Sequence, residues 1–235
     1  MDGRPEAVVL NSLTTPDITT VVGELVCGAT LVRLGVGYLF VEGLGPLIER
    51  LTEIPRTELL IGNVVNRLTD EQIRKAGSDL DTSAQSDEDI LANYRMDRNR
   101  AAIETALNLR QTLASLPHTS ATSSVVVGLA QLILGGRLHV RLSSKCRLHA
   151  KVTMASYPDG HAYAPGRAIV GTSNITLPTQ ISPGAPMPDI DVLVGGASNY
   201  QAVTRWFESH WDQAQDFHRE LFDELGRAWP LAATS

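Results

Sequence analysis

The sequence predicts an α/β fold, a mixed β-sheet flanked by helices, and three observations lead to that expectation. Two almost wholly apolar runs, Leu34-Gly35-Val36-Gly37-Tyr38-Leu39-Phe40-Val41 and Glu58-Leu59-Leu60-Ile61-Gly62-Asn63-Val64, flank a helix-patterned stretch over residues 43–51. Strands buried on both faces read as continuous apolar runs, and a helix between two of them makes a βαβ unit. Later segments alternate polar and apolar residues, above all Arg147-Leu148-His149-Ala150-Lys151-Val152-Thr153-Met154, which is the strand period. Between and after the strand segments, residues 90–116 and 199–228 repeat apolar side chains at the helical period. A chain of 235 residues with 43% hydrophobic content suffices for one sizeable domain with a real core.

Residues 1–19 are expected to be a lead-in and residues 20–235 a single domain. A helix is expected over residues 20–32, then the first strand, the helix over 43–51 and the second strand. The glycines of the first strand do not make a dinucleotide fingerprint, because Phe40 stands at the third glycine position. Thr69-Asp70-Glu71-Gln72 is a capping box that starts a short helix. Residues 76–89 are acidic and serine-rich and predict a mobile loop. The helix over 90–116 presents Ile90, Tyr94, Ala101, Ile103, Ala106, Leu107, Leu109 and Leu113 as its apolar face. Ser123-Ser124 caps a helix over 125–134 that stops at Gly135-Gly136. Strands follow at Leu138-His139-Val140-Arg141-Leu142, at the alternating segment, at Ala168-Ile169-Val170 and at Ile190-Asp191-Val192-Leu193-Val194. The closing helical region buries Trp206, Phe207, Trp211, Phe217, Leu221 and Leu225. There is no internal repeat.

On the alternating strand, His149, Lys151 and Thr153 share one face. Gly171-Thr172-Ser173-Asn174 ends the next short strand. If the two strands are neighbours, an imidazole, an ammonium and a carboxamide converge. That set suits a phosphate: the imidazole attacks phosphorus, the ammonium neutralises oxygen charge, and the amide donates a hydrogen bond. The formal net charge is −6, which argues against binding nucleic acid over the whole surface. Within residues 137–151, however, Arg137, Arg141, Lys145, Arg147 and Lys151 appear without an acid. Arg137, Arg141, Lys145 and Arg147 are therefore expected to guide a nucleic-acid backbone towards His149.

The pair of segments resembles the HxK…GSxN signature of the phospholipase D superfamily, here His149-Ala150-Lys151 and Gly171-Thr172-Ser173-Asn174. The opening Gly35-Val36-Gly37-Tyr38 and Glu42-Gly43-Leu44 resemble the start of phospholipase D-like domains associated with helicases. Thr172 replaces the usual serine and keeps a hydroxyl. Ser156 stands where the family has aspartate, and the spacing to Gly171 is longer, which reads as an enlarged hairpin loop near residues 157–167. The resemblance implies a phospholipase D-like mixed sheet and a metal-independent phosphodiesterase working through a phosphohistidine. His149 is then nucleophile or acid, Lys151 and Asn174 hold phosphate with Ser173 and Thr172 beside them, and Asp191 orients His149. Family members use two HxK motifs; this chain has one, so a homodimer sharing the site is implied. Small single-motif members are mostly nucleases, and similar domains accompany bacterial DEAD/SNF2-type helicases, some in restriction and phage defence. DNA or another nucleic acid, a second copy, and a helicase or ATPase subunit or domain are the expected partners. The alternative is a catalytically inactive nucleic-acid-binding or dimerisation module of a helicase system, which Ser156 and the acidic balance favour. Phospholipid hydrolysis ranks third, for want of a membrane-facing amphipathic segment.

No Cys/His or acidic cluster has metal-ligand spacing, so no metal or cofactor is expected. His139 is expected to pack, and His118, His161, His210 and His218 show no ligand spacing. Cys27 and Cys146 are expected to be free thiols, and no apolar run is long enough to span a membrane. A cytoplasmic location is expected. Asn174-Ile175-Thr176 is a glycosylation sequon in form, but without a secretory signal Asn174 is expected to be a site residue.

Overall fold

The structure, a computed structural model, describes residues 7–11, 18–39, 41–62, 98–143, 148–172 and 190–229. In chain order the elements are β1 (Ala7–Asn11), α1 (Ile18–Val26), β2 (Leu31–Val36), a 3-10 turn (Glu42–Leu44), α2 (Gly45–Glu53) and β3 (Arg56–Gly62). After them come α3 (Arg98–Ser115), α4 (Ser120–Leu134), β4 (Leu138–Ser143), β5 (Lys151–Ser156), β6 (Gly166–Gly171) and β7 (Ile190–Val194). The last are α5 (Ala197–Trp211), β8 (Gln215–Asp216) and α6 (His218–Ala228). The strands form one eight-stranded sheet in the order β1-β7-β6-β5-β2-β3-β4-β8. β2, β3 and β4 are parallel, and every other neighbouring pair is antiparallel. The α/β fold with a mixed sheet between helices is the one expected, and the βαβ unit is β2-α2-β3.

Each strand sends alternate residues to two unequal cores. Val32, Leu34, Leu59, Ile61, Val140, Leu142, Ala155 and Ile169 face the larger one, against α1, α2, α3, α4 and α6. Leu60, Val152, Met154 and Ala168 face the smaller one, closed by Tyr200, Phe207 and Trp211 of α5. Phe207 is fully buried, which contributes roughly 2–3 kcal/mol. α5 is also tied to the sheet by ion pairs: Arg33 donates to Glu58 at 2.9 Å and to Glu208 at 2.9 Å, and Arg56 donates to Glu58.

Several boundaries differ from the expectation. The lead-in contains β1, an edge strand paired with β7. The first helix and strand begin earlier, because the strand register with β3 starts at Leu31. α4 is capped by Thr119, whose hydroxyl accepts from Thr122 N–H at 3.1 Å, and Ser123-Ser124 lie inside the helix. Leu109 and Leu113 of α3 are buried as expected, but Leu107 is 45% exposed. The closing helical region is two helices separated by β8. The capping box at Thr69, the loop over 76–89, and Ile90 and Tyr94 lie outside the described residues.

The enlarged hairpin loop is real and ordered around Tyr157, whose ring stacks on His161 at 4.2 Å and whose hydroxyl donates to the Leu25 carbonyl. Burial pushes the Tyr157 phenol up to about 12, against the opposing charge of Arg167. Among the described residues no helix is long and apolar enough to cross a membrane.

Candidate active site

β5 begins at Lys151, opposite Gly171 of β6, and Gly171 stands opposite Asp191 of β7. Residues paired across strands point to the same face, so Lys151, Gly171 and Asp191 form one row on the side of the larger core. Strands are about 4.8 Å apart, which puts the Lys151 and Asp191 backbones roughly 10 Å from each other. The middle position has no side chain. A methyl on Gly171 would lie 1.9 Å from Asp191 Oδ1, so the carboxylate leans over Gly171 of β6. Asp191 is 5% exposed. Lys151 is half-buried, and His149 is exposed.

The row lies at the carboxyl ends of the parallel strands, where open α/β sheets have their ligand crevice. Gly62, the last residue of β3, fixes the approach. A methyl there would meet the Leu148 carbonyl at 2.3 Å and the Gly37 carbonyl at 2.8 Å. The backbone immediately before His149 therefore rests on the ends of β2 and β3, with Leu148 buried beneath it. Gly62 was not singled out from the sequence. The available signal was a glycine in an otherwise apolar strand, which marks a close backbone approach.

His149 does not share a strand face with Lys151 and Thr153 as expected. The ladder stops at Lys151 because its partner strand ends at Gly171, and His149 precedes it. Thr153 does follow Lys151 on the same face, but it is buried against the larger core. Thr172 closes the β6 end: its hydroxyl accepts from Ile190 N–H at 3.0 Å and its own N–H donates to the Ile190 carbonyl at 3.1 Å. Ser173, Asn174, Lys145 and Arg147 lie outside the described residues.

The structure does not bring Arg137 and Arg141 to this row. Arg137 sits at the amino end of β4, the far end of the sheet, where its guanidinium donates to the Thr52 carbonyl. Arg141 donates to the Trp211 carbonyl at 2.8 Å and lies 4.9 Å from the Trp211 ring centroid. His139, half-buried on the same face, stands opposite Glu58. Ser156 is at the far end of β5, its hydroxyl 2.7 Å from the Tyr200 hydroxyl. Among the described residues, no three His, Cys, Asp or Glu side chains are grouped to hold a metal.

No family model and no curated protein matches the chain. Solved structures do. The chain is similar to Nuc, a phospholipase D family member from Salmonella typhimurium, with 12% identity and a TM-score of 0.46 over 91% of this chain and 98% of that one. It is also similar to polyphosphate kinase from Porphyromonas gingivalis, with 11% identity and a TM-score of 0.44 over 89% of this chain and 26% of that one. Phosphatidylserine synthase from Haemophilus influenzae Rd KW20 is similar at 13% identity and a TM-score of 0.44, over 89% of this chain and 39% of that one.

Proposed function

We propose that the protein is a metal-independent phosphodiesterase acting on DNA, with His149 as the nucleophile and the site completed by a second copy of the chain. The observation that supports this most is the row Lys151–Gly171–Asp191 at the carboxyl ends of the parallel strands, with the exposed His149 directly ahead of it. An imidazole nitrogen of His149 attacks phosphorus and the bond to the leaving oxygen breaks. His149 of the second copy gives that oxygen its proton. The same imidazole then takes a proton from water, which attacks the phosphohistidine and breaks the phosphorus–nitrogen bond. Lys151 neutralises the phosphate oxygens, Asn174 and Ser173 donate hydrogen bonds to them, and Asp191 accepts from the other ring nitrogen and favours the imidazolium. The resemblance to helicase-associated domains makes a helicase or ATPase subunit the companion to look for, in restriction or phage defence.

The test is cleavage of labelled single- and double-stranded oligonucleotides in excess EDTA. Cleavage should persist there and fall at least about a hundredfold in His149→Ala. Loss of activity in EDTA with recovery on adding magnesium would overturn the mechanism. A second reading is a non-enzymatic DNA-binding or dimerisation module; the net charge of −6 favours its dimerisation form, since it opposes a nucleic-acid backbone. Ser156 no longer supports it, because that position is remote from the row. Binding without cleavage by the wild-type protein would select this reading.

A further inference from the structure

Gly171 is crowded in a way that its backbone does not explain. Among the described glycines, positive φ occurs at Gly28, Gly136, Gly160 and Gly196, and Gly171 is not one of them. Its conformation is open to any residue, so the need for glycine there is one of space. A methyl at Gly171 would lie 1.9 Å from Asp191 Oδ1, 2.5 Å from the Ile190 carbonyl oxygen and 2.6 Å from Asp191 Cα. The side chains of Lys151 and Asp191 point to the face on which that methyl would stand. We infer that the missing side chain of Gly171 is a slot for the Asp191 carboxylate, and that Gly171 is a positioning residue acting through Asp191. The slot stands on geometry alone; its consequence for His149 rests on the phosphodiesterase reading.

An aspartate carries its carboxylate directly on Cβ, and β7 is two strands away from β5. Any side chain at 171 would stand between the carboxylate and Lys151, because cross-strand neighbours on one face are already in contact. With glycine there, the carboxylate lies over β6. At 5% exposure its charge is also screened by little water, which lengthens its electrostatic reach. A larger residue would turn the carboxylate out or push β7 away.

The experiment combines a double-mutant cycle in melting temperature with the NMR ring shifts of His149 at one fixed pH, using Gly171→Ala, Asp191→Ala and the pair together. Gly166→Ala is the control. It is an equally crowded glycine on the same strand, against Tyr200 at the end away from the site. The slot predicts that Gly171→Ala lowers the melting temperature less when Asp191→Ala is already present. The contacts with the Ile190 carbonyl and with Cα of residue 191 are the same in both backgrounds, so the difference isolates the carboxylate. Gly171→Ala should also move the His149 ring shifts in the direction in which Asp191→Ala moves them. It should add nothing to Asp191→Ala, and Gly166→Ala should leave the ring shifts in place. Equal melting losses in both backgrounds would overturn the slot. If Gly171→Ala alone does not fold, rescue by Asp191→Ala supports the slot and failure of both overturns it. Coupling in melting temperature with an unmoved His149 in Asp191→Ala supports the slot and overturns instead the role given to Asp191 above.

Discussion

Ser156 occupies the position where the phospholipase D pattern has aspartate, and its hydroxyl meets Tyr200 rather than anything near His149. Its carbonyl accepts from Thr30 N–H at 2.9 Å, so the residue fastens the start of β2 and the α5 face at one end of β5. Five strand residues at about 3.3 Å each put it roughly 17 Å from Lys151. Ser156→Ala should therefore cost about 1 kcal/mol of stability through the lost hydrogen bond and leave kcat/KM on an oligonucleotide unchanged. Lys151→Ala should show the opposite pattern, near-normal melting with cleavage lost. Steady-state kinetics and thermal melts of the two variants check this, and a catalytic defect in Ser156→Ala would show that the two ends of β5 are coupled.

At the scale of elements, α3 and α6 are clamped by Arg110, which donates to both oxygens of Glu224 at 2.6 and 2.7 Å, while Arg227 reaches the same carboxylate. The Arg110 hydrogen bond holds the Glu224 carboxyl below its ordinary value of 4.5, against the burial that would raise it. A carboxylate depressed in the folded state contributes its full stability above the unfolded value and loses it as pH falls through the folded one. Melting temperature should thus fall more steeply below about pH 4.5 in the wild type than in Glu224→Gln; parallel curves would show that the clamp adds nothing. The strands flanking such helices were legible wherever burial on both faces leaves a continuous apolar run, as in β2 and β3. The pairing of β5 with β6 was legible too, and it sets Lys151 of the HxK segment opposite Gly171. β1 was not, since a short apolar run near residue 8 acquires meaning only from β7, far along the chain. The placement of Arg137 and Arg141 was equally hidden: alternation shows which residues share a face, not that Trp211 and Thr52 stand there to receive them.

For the whole molecule, one chain supplies one His149, and in-line displacement needs a nucleophile and an acid on opposite sides of phosphorus. The protein should therefore be a twofold dimer with its two Lys151 rows facing each other across the axis. Light scattering at micromolar concentration should give twice the mass of the chain. Heterodimers of wild-type and His149→Ala chains should not cleave. A strict monomer that cleaves DNA would require a second acid from within the same chain.

The strand order also has a consequence for biosynthesis. β1 is made first, yet its sheet neighbour β7 is made after every other strand except β8. A domain generally folds as a unit, while its chain is made from the N-terminus. β1 must nevertheless wait through most of translation without its partner. The βαβ unit can form early, but the position opposite Gly171 stays empty until Asp191 has been added. A nascent or prematurely terminated chain could hold His149 and Lys151 without the carboxylate, so the complete row is a late product of synthesis.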